Sequence, residues 1–365
     1  HWKDLKDRAR TDKGVENYKK FGTVNMVAVS NEAGVFPTGY WKRGRRDDYY
    51  DKLSGEAHHK LCRVKAKACP RCFMACGKRS RVKKGRHQGL EIEGPEFETI
   101  YAFAGLCLID DIPEVMYLND LCDRYGIDTI TAGNLASFAM HASKLGIIPE
   151  KIEFGDADAV AGLVRDMAYR RGVGEVLSQG ILHAAREWDM EDEAVHVKGL
   201  EPAGYDPRGL KGMGLAYAVS DRGACHLRTT FYKPELAGHI APDAIEGKAR
   251  MLIDYEDRAT LFDTLILCRF FRDLDQWEEL KKIVSGTTGM APDMDGLKRI
   301  AANVTDAARL FNLREGLTRE DDRLPPPIYK TPLEPFGQRI SEQELDTLVR
   351  DYYRLRGWDR DGKPV

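Results

Sequence analysis

From about residue 96 onward, apolar side chains recur at spacings of three and four, the period of helices that bury one face. The segment Pro113 to Tyr125 opens with proline in a first-turn position and stops at Gly126, and Asn134 to Leu145 repeats the form and stops at Gly146. Helices are expected at 156–171 and 174–188 in the first half, and at 242–253, 256–273, 292–311 and 342–356 in the second. Before residue 60 the pattern is polar and irregular. One apolar run, Val24 to Val29, reads as a strand, and Gly34, Pro37 and Gly39 break the pattern after it. Between the two helical halves, Lys198 to Gly204 and Asp206 to Gly214 are rich in glycine and proline. The chain is therefore expected to be mainly α and multihelical, with two all-α domains at 1–197 and 198–365. The prolines at 325–327 read as a loop.

Composition narrows the classes. At 365 residues there is room for roughly two domains, and a 42% hydrophobic share supports an ordinary core. A net charge of −2 exerts no overall pull toward nucleic acid or an acidic membrane. No apolar run approaches the ~20 residues of a membrane span, and no secretory signal pattern opens the chain. The first residue is His1, in a charged stretch, which leads us to expect a fragment or a processed product. Eight cysteines in this length are too few for a disulfide scaffold. Three of them in one tight run favour metal ligation in a reducing, cytoplasmic setting.

That run is Cys69-Pro70-Arg71-Cys72-Phe73-Met74-Ala75-Cys76, a C-x2-C-x3-C loop, with Cys268 far downstream as a fourth candidate. Three closely spaced thiolates can occupy one face of a cuboidal iron–sulfur cluster while a distant cysteine closes it. A zinc knuckle or plain buried thiols are the alternatives, but zinc wants two ligand pairs and no second pair lies nearby. Basic residues from Arg63 to Arg86 flank the loop with only Phe73 among them. That suits an anionic cluster or an acidic electron carrier better than nucleic acid, whose binders interleave aromatics with the charge. Cys62, Cys107, Cys122 and Cys225 read as packing residues. Two further stretches share a form: Asp123-Arg124-Tyr125-Gly126-Ile127-Asp128 and Asp263-Thr264-Leu265-Ile266-Leu267-Cys268. Taken alone, the first is a helix C-cap glycine followed by an acidic N-cap, and the second is a helix carrying a cysteine.

Taken together these stretches resemble the aldehyde ferredoxin oxidoreductase family of tungsten- or molybdenum-containing bis-pterin enzymes. Glu93 to Thr99, Asp128 to Asn134, Lys198 to Glu201, Tyr205 to Gly209 and Arg222 to Arg228 match the family in order, so that the resemblance covers nearly the whole chain. It corresponds to the family's two C-terminal helical domains, without the N-terminal domain that cradles much of the cofactor. The resemblance implies that Cys69, Cys72, Cys76 and Cys268 hold a [4Fe–4S] cluster. Asp123, Gly126, Ile127, Asp128, Asp263 and Leu267 would then contact pterin. Ile266 departs from the pattern, because the family has glycine there. The family also places a glutamate and a histidine beside the metal; His226 matches the histidine, and Glu98 or Glu96 the glutamate, with Glu98 preferred. The implied reaction is oxidation of an aldehyde to a carboxylic acid, with electrons leaving through the cluster to ferredoxin, in a homodimer or hetero-oligomer. Reduction of an aryl-CoA by a related catalytic subunit and a non-catalytic electron-transfer module are the other readings. The Glu56-x-x-His59 stretch does not line up with the metal site that bridges subunits in some relatives.

Overall fold

The computed structural model describes residues 2–365. Helices dominate, as the periodicity predicts. Ile112–Tyr125 has Pro113 in its first turn, is capped by the Asp111 side chain at its N-terminus, and ends in a left-handed Gly126. Thr129–Lys144 follows at once, capped by Asp128, whose side chain accepts from the Thr131 N–H. Glu342–Arg356 occupies the range expected for it, closed by a reciprocal Ser341–Glu344 capping box.

The stretch before residue 60 is largely helical, with Trp2–Ala9, Lys13–Phe21, Tyr49–Leu53 and Gly55–Leu61, and the proline stretch holds a short helix, Pro326–Lys330, instead of a loop. Three further expectations change. Val24 to Val29 forms no strand: a 3-10 turn, Gly22–Val24, runs into the helix Asn25–Glu32. Val24, Val27 and Asn31 are buried at helical spacing, and Asn31 is tied by both amide atoms to the Arg46 backbone. Second, the helices expected at 242–253 and 256–273 are one element, Lys248–Thr264, followed by a short 3-10 turn, Arg269–Phe271. Third, 174–188 is broken at Gly180 into Val173–Leu177 and Ile181–Glu187.

The fold also holds a small antiparallel sheet that the helical period does not predict, with β1 (Cys62–Lys67), β2 (Gly77–Val82) and β3 (Glu91–Glu93) in the order β1-β2-β3. Its signal is an alternation. Lys78, Ser80 and Val82 of β2 face inward while Arg79 and Arg81 face out, so the basic run is largely the solvent side of a ribbon. Its β1–β2 connection is the cysteine loop itself, closed by the Lys67–Gly77 pair.

One continuous apolar core extends from Val24 to Trp358 and draws residues from both sides of Lys198. In its middle the short helix Phe97–Ile100 opens into a wholly buried π-helical segment, Tyr101–Leu106. Such widened turns recur at functional sites, and this one directly follows the turn that carries Glu98.

Candidate active site and metal centre

Backbone pairing on both sides fixes the cysteine loop. The Cys72 N–H donates to Cys69 O at 3.0 Å, and Arg71 and Ala75 take left-handed φ values of 62° and 49° that turn the chain back on itself. Met74 is buried beneath the loop, and Phe73 packs edge-to-face on Phe271, centroids 5.3 Å apart, just past Cys268. Buried Lys78 fastens the far end: its ammonium donates to the carbonyls of Tyr18 at 2.8 Å, Ala75 at 3.1 Å, Cys76 at 2.8 Å and Gly77 at 3.1 Å. Burial pushes the Cys76 thiol up to about 11, and the nearby Cys268, Glu96 and Cys72 add to that. Cys268 therefore reaches the loop from almost two hundred residues away. Cys69 and Cys268 are exposed, while Cys72 and Cys76 are half-buried.

Among the described residues, no three His, Cys, Asp or Glu side chains form a single-ion site. Cys69, Cys72, Cys76 and Cys268, the set expected from the sequence, are of the residue type that suits an iron–sulfur cluster.

The two candidate glutamates part company. Glu96 precedes the helix in extended backbone and accepts from the Thr23 hydroxyl, which in turn accepts from the Phe97 N–H at 2.8 Å. It lies close enough to Cys76 and Lys78 to act on both electrostatically. Glu98, one turn inward, points to the other side. Its Oε2 accepts from the Gly204 N–H at 2.9 Å. Its Oε1 is buried with no hydrogen-bond partner, and His226 Nε2 lies 3.5 Å from it. Burial pushes Glu98 up to about 8, opposed by the Gly204 N–H and assisted by the negative charge of Asp128. Burial also pulls His226 down to about 3, and the Arg222, Arg272 and Arg269 charges reinforce this. Near neutrality the pair is thus a carboxylic acid beside a neutral imidazole, with one oxygen uncommitted.

Aromatic rings wall the pair. Tyr205 stacks on Tyr232 at 3.8 Å and lies tilted against His226 at 6.1 Å and Phe97 at 5.2 Å. The backbone that supplies the Gly204 N–H is pinned by hydroxyls: Tyr101 bonds Pro202 O, and Tyr217 bonds Ala203 O at 3.1 Å. A Cβ at Gly204 would lie 2.7 Å from Tyr101 Cγ and 2.9 Å from Phe97 Cε1. Gly204→Ala is therefore expected to cost about 1–3 kcal/mol by overpacking and to pull the N–H off Glu98. Chemical denaturation of the two proteins checks it.

The two D-x-x stretches adopt the same turn. Gly126 and Ile266 both have left-handed φ, 69° and 57°. The next N–H bonds back to the residue before the aspartate in each: Ile127 to Cys122 O at 3.0 Å, and Leu267 to Phe262 O at 2.8 Å. Asp128 and Cys268 then share extended backbone, φ/ψ −64°/132° and −70°/126°. The first turn abuts Glu98 through the charge of Asp128. The second abuts His226 through Arg269, which Asp263 grips at 2.5 Å. The acid–imidazole pair thus lies between two matched turns, with the cysteine loop alongside the second.

The two turns differ at one position. Nothing lies within 4 Å of a Cβ built on Gly126, whereas Ile266 holds a left-handed backbone with its side chain 92% exposed. A β-branched residue in that region is strained by about 1–2 kcal/mol. As no packing is lost, Ile266→Gly is expected to raise stability by about 1 kcal/mol, read as a higher Tm. The bare Gly126 turn and the carboxylate of Asp123 fit a flat polar heterocycle. The Asp263 turn offers the same backbone plus an apolar branch, and its carboxylate is shared between Arg269 and Arg228, the latter at 3.1 Å.

Gly204, Tyr232, Arg269 and Arg272 complete the site without having been assigned roles from the sequence. The two arginines could have been noticed as the basic flank of Cys268; Tyr232 carries no local signal.

This architecture, a helical fold that sets a cysteine loop near Cys268 and holds a half-buried acid–imidazole pair, is one that sequence comparison identifies. The family model for aldehyde ferredoxin oxidoreductase, domains 2 and 3, matches residues 1–365, and the chain belongs to that family. It is 31% identical over 357 residues to the tungsten-containing aldehyde ferredoxin oxidoreductase of Pyrococcus furiosus, covering 94% of this chain and 58% of the relative. The Thermococcus kodakarensis enzyme of the same name gives the same identity and coverage. The aliphatic sulfonate oxidoreductase WOR-like subunit of Pyrococcus furiosus is 26% identical over 316 residues, 80% of this chain and 48% of that one. The chain thus spans a little over half the length of the tungsten enzymes it matches. Among solved structures, the active site complex BamBC of benzoyl coenzyme A reductase with 1,5-dienoyl-CoA shares the fold, with a TM-score of 0.74 at 18% identity over 94% of this chain and 59% of that one. No helix among the described residues is long and apolar enough to cross a membrane.

Proposed function

We propose that this chain is the cluster-bearing catalytic part of a tungsten-type oxidoreductase that oxidises an aldehyde to a carboxylic acid, with ferredoxin as electron acceptor. The observation that carries the reading is the uncommitted Oε1 of Glu98 facing His226 between the two matched turns. Cys69, Cys72, Cys76 and Cys268 would hold a [4Fe–4S] cluster, and the Asp123–Asp128 and Asp263–Leu267 turns would hold the pterins. When bound, the bis-pterin tungsten (or molybdenum) centre supplies the two-electron change and the cluster relays single electrons.

The balance of the reaction is aldehyde plus water giving acid, two protons and two electrons, so the protein must move protons. Neutral His226 donates a hydrogen bond to the carbonyl oxygen of the aldehyde, and ionised Glu98 accepts a proton from water. Because Glu98 is held protonated up to about 8, the base form accumulates as pH rises, and the rate is expected to climb through that value. The stacked Tyr205–Tyr232 pair walls one side of His226, and both side chains keep part of their surface open. On the cluster side, exposed Arg63, Lys65, Arg71 and Arg81 present a basic face, which suits an acidic ferredoxin steered by charge. Division into helical domains at 1–197, with the cluster loop and first turn, and 198–365, with His226 and Cys268, belongs to the same proposal.

The test is elemental analysis of the anaerobically purified protein in its longest natural form, followed by a viologen-linked assay with simple aldehydes. About four irons per chain with tungsten or molybdenum, and dye reduction by an aldehyde, would support the proposal. Iron without either heavy metal, or activity with an aryl-CoA and none with aldehydes, would overturn it.

A further inference from the structure

Behind the turn after Cys268 lies a small cavity lined by Thr229, Arg258, Phe262, Arg269, Arg272 and Asp273. Thr229 is 1% exposed, and its hydroxyl has no hydrogen-bond partner. Two guanidinium nitrogens of the same wall, Arg269 Nη1 and Arg272 Nε, are also buried and unpartnered. Leaving a buried polar group unsatisfied costs about 1–3 kcal/mol, so three on one cavity point to a missing acceptor.

The charges point the same way. Arg258 is held by Asp254 at 3.2 Å, Arg269 by Asp263 at 2.5 Å, and Asp273 is bonded to Lys233. Arg272 donates to Arg269 O at 2.7 Å, and among the described residues no carboxylate lies within ion-pair distance of it. Arg272 is thus left with no bonded carboxylate, its charge met only at longer range by Asp273. The cavity measures about 10 Å³, room for one water or one monatomic ion and too little for a phosphate. Guanidinium N–H groups only donate. A water accepts through two lone pairs and carries no charge, whereas a halide accepts from both arginines and the hydroxyl and neutralises Arg272.

We propose that this cavity is a built site for one chloride-sized monoanion, gripped by Thr229, Arg269 and Arg272, which locks the Arg269–Phe271 turn behind Cys268.

Crystals of the full chain grown in bromide in place of chloride test it. An anomalous peak in the cavity is expected, lost in Thr229→Val and in Arg272→Gln. In solution, exchanging gluconate for chloride at constant ionic strength should raise Tm by about 2 °C or more, in a saturable way, and Thr229→Val should abolish the rise. Thr229→Val is close to isosteric, so it remains informative if Arg272→Gln does not fold. A cavity that refines as water with no bromide signal would overturn the proposal. So would a peak that survives both substitutions, or a Tm indifferent to chloride.

Discussion

Glu98→Gln is expected to lower turnover by about 10²–10⁴-fold, the range for loss of a general acid–base group, while metal content stays unchanged. Glutamine keeps the size of the side chain and an oxygen for the Gly204 N–H, but it cannot take up a proton. The same variant should behave distinctively in stability. Folded Glu98 titrates near 8, against an ordinary value of 4.5. Between those values the native state binds a proton that the unfolded chain has released. The contribution of Glu98 is therefore fully present below about 4.5 and is lost as pH rises through about 8. Thermal unfolding of wild type and Glu98→Gln should diverge with rising pH, the variant ending more stable by about 2–4 kcal/mol near pH 9. His226 works in the opposite sense. Held near 3 instead of 6.5, it costs stability as pH falls below about 6.5. A pH–rate profile and a pH series of melts on the two proteins check both statements; equal melts across the range would mean that Glu98 is ionised in the folded protein.

The other large effect is at the cysteines. Cys268→Ala is expected to reduce iron from about four per chain to about three or none, with loss or change of the cluster's electron paramagnetic resonance signal. Cys268 is exposed, so alanine removes little packing, and any fall in stability reports the cluster. Cys122→Ala makes the contrast. That thiol is buried in the core, so its loss should cost about 1 kcal/mol of packing and leave iron untouched. Iron analysis of the two variants beside wild type separates ligand from filler.

Much of the site could be read directly in the sequence. The C-x2-C-x3-C spacing is local chemistry, because three thiols within eight residues must lie on one loop whatever surrounds them. Gly126 followed by Asp128 is likewise a local instruction, a left-handed stop and then a capping acid, and the helix Ile112–Tyr125 ends and the next begins where those residues lie. The chain also carried the alternation of Lys78 to Val82. It was hidden by composition, since strands written in lysine and arginine look like a charged loop until one face is seen to be buried.

Other features depended on contacts between residues far apart in the chain. Val24 to Val29 has strand-like composition, but Asn31 must reach the Arg46 backbone and Val24 and Val27 must share one face, so packing imposes a helix. Glu96 and Glu98 are chemically alike and two positions apart. Only the fold sends one to Thr23 beside the cysteine loop and the other to Gly204 and His226, because the identity of an environment is not written in the residue that enters it. Ile266 shows the converse. Its sequence breaks the glycine pattern, yet the turn keeps its left-handed shape, held by the Leu267 N–H to Phe262 O bond and by the ion pair of Arg269 with Asp263 across it. The sequence by itself determined the thiols, the stops and the helical period, all set within a few residues. The tertiary structure alone decided which carboxylate keeps a buried oxygen without a hydrogen-bond partner, which arginine lacks a bonded carboxylate and which turns match, because burial and charge balance are sums over neighbours that the linear order does not contain.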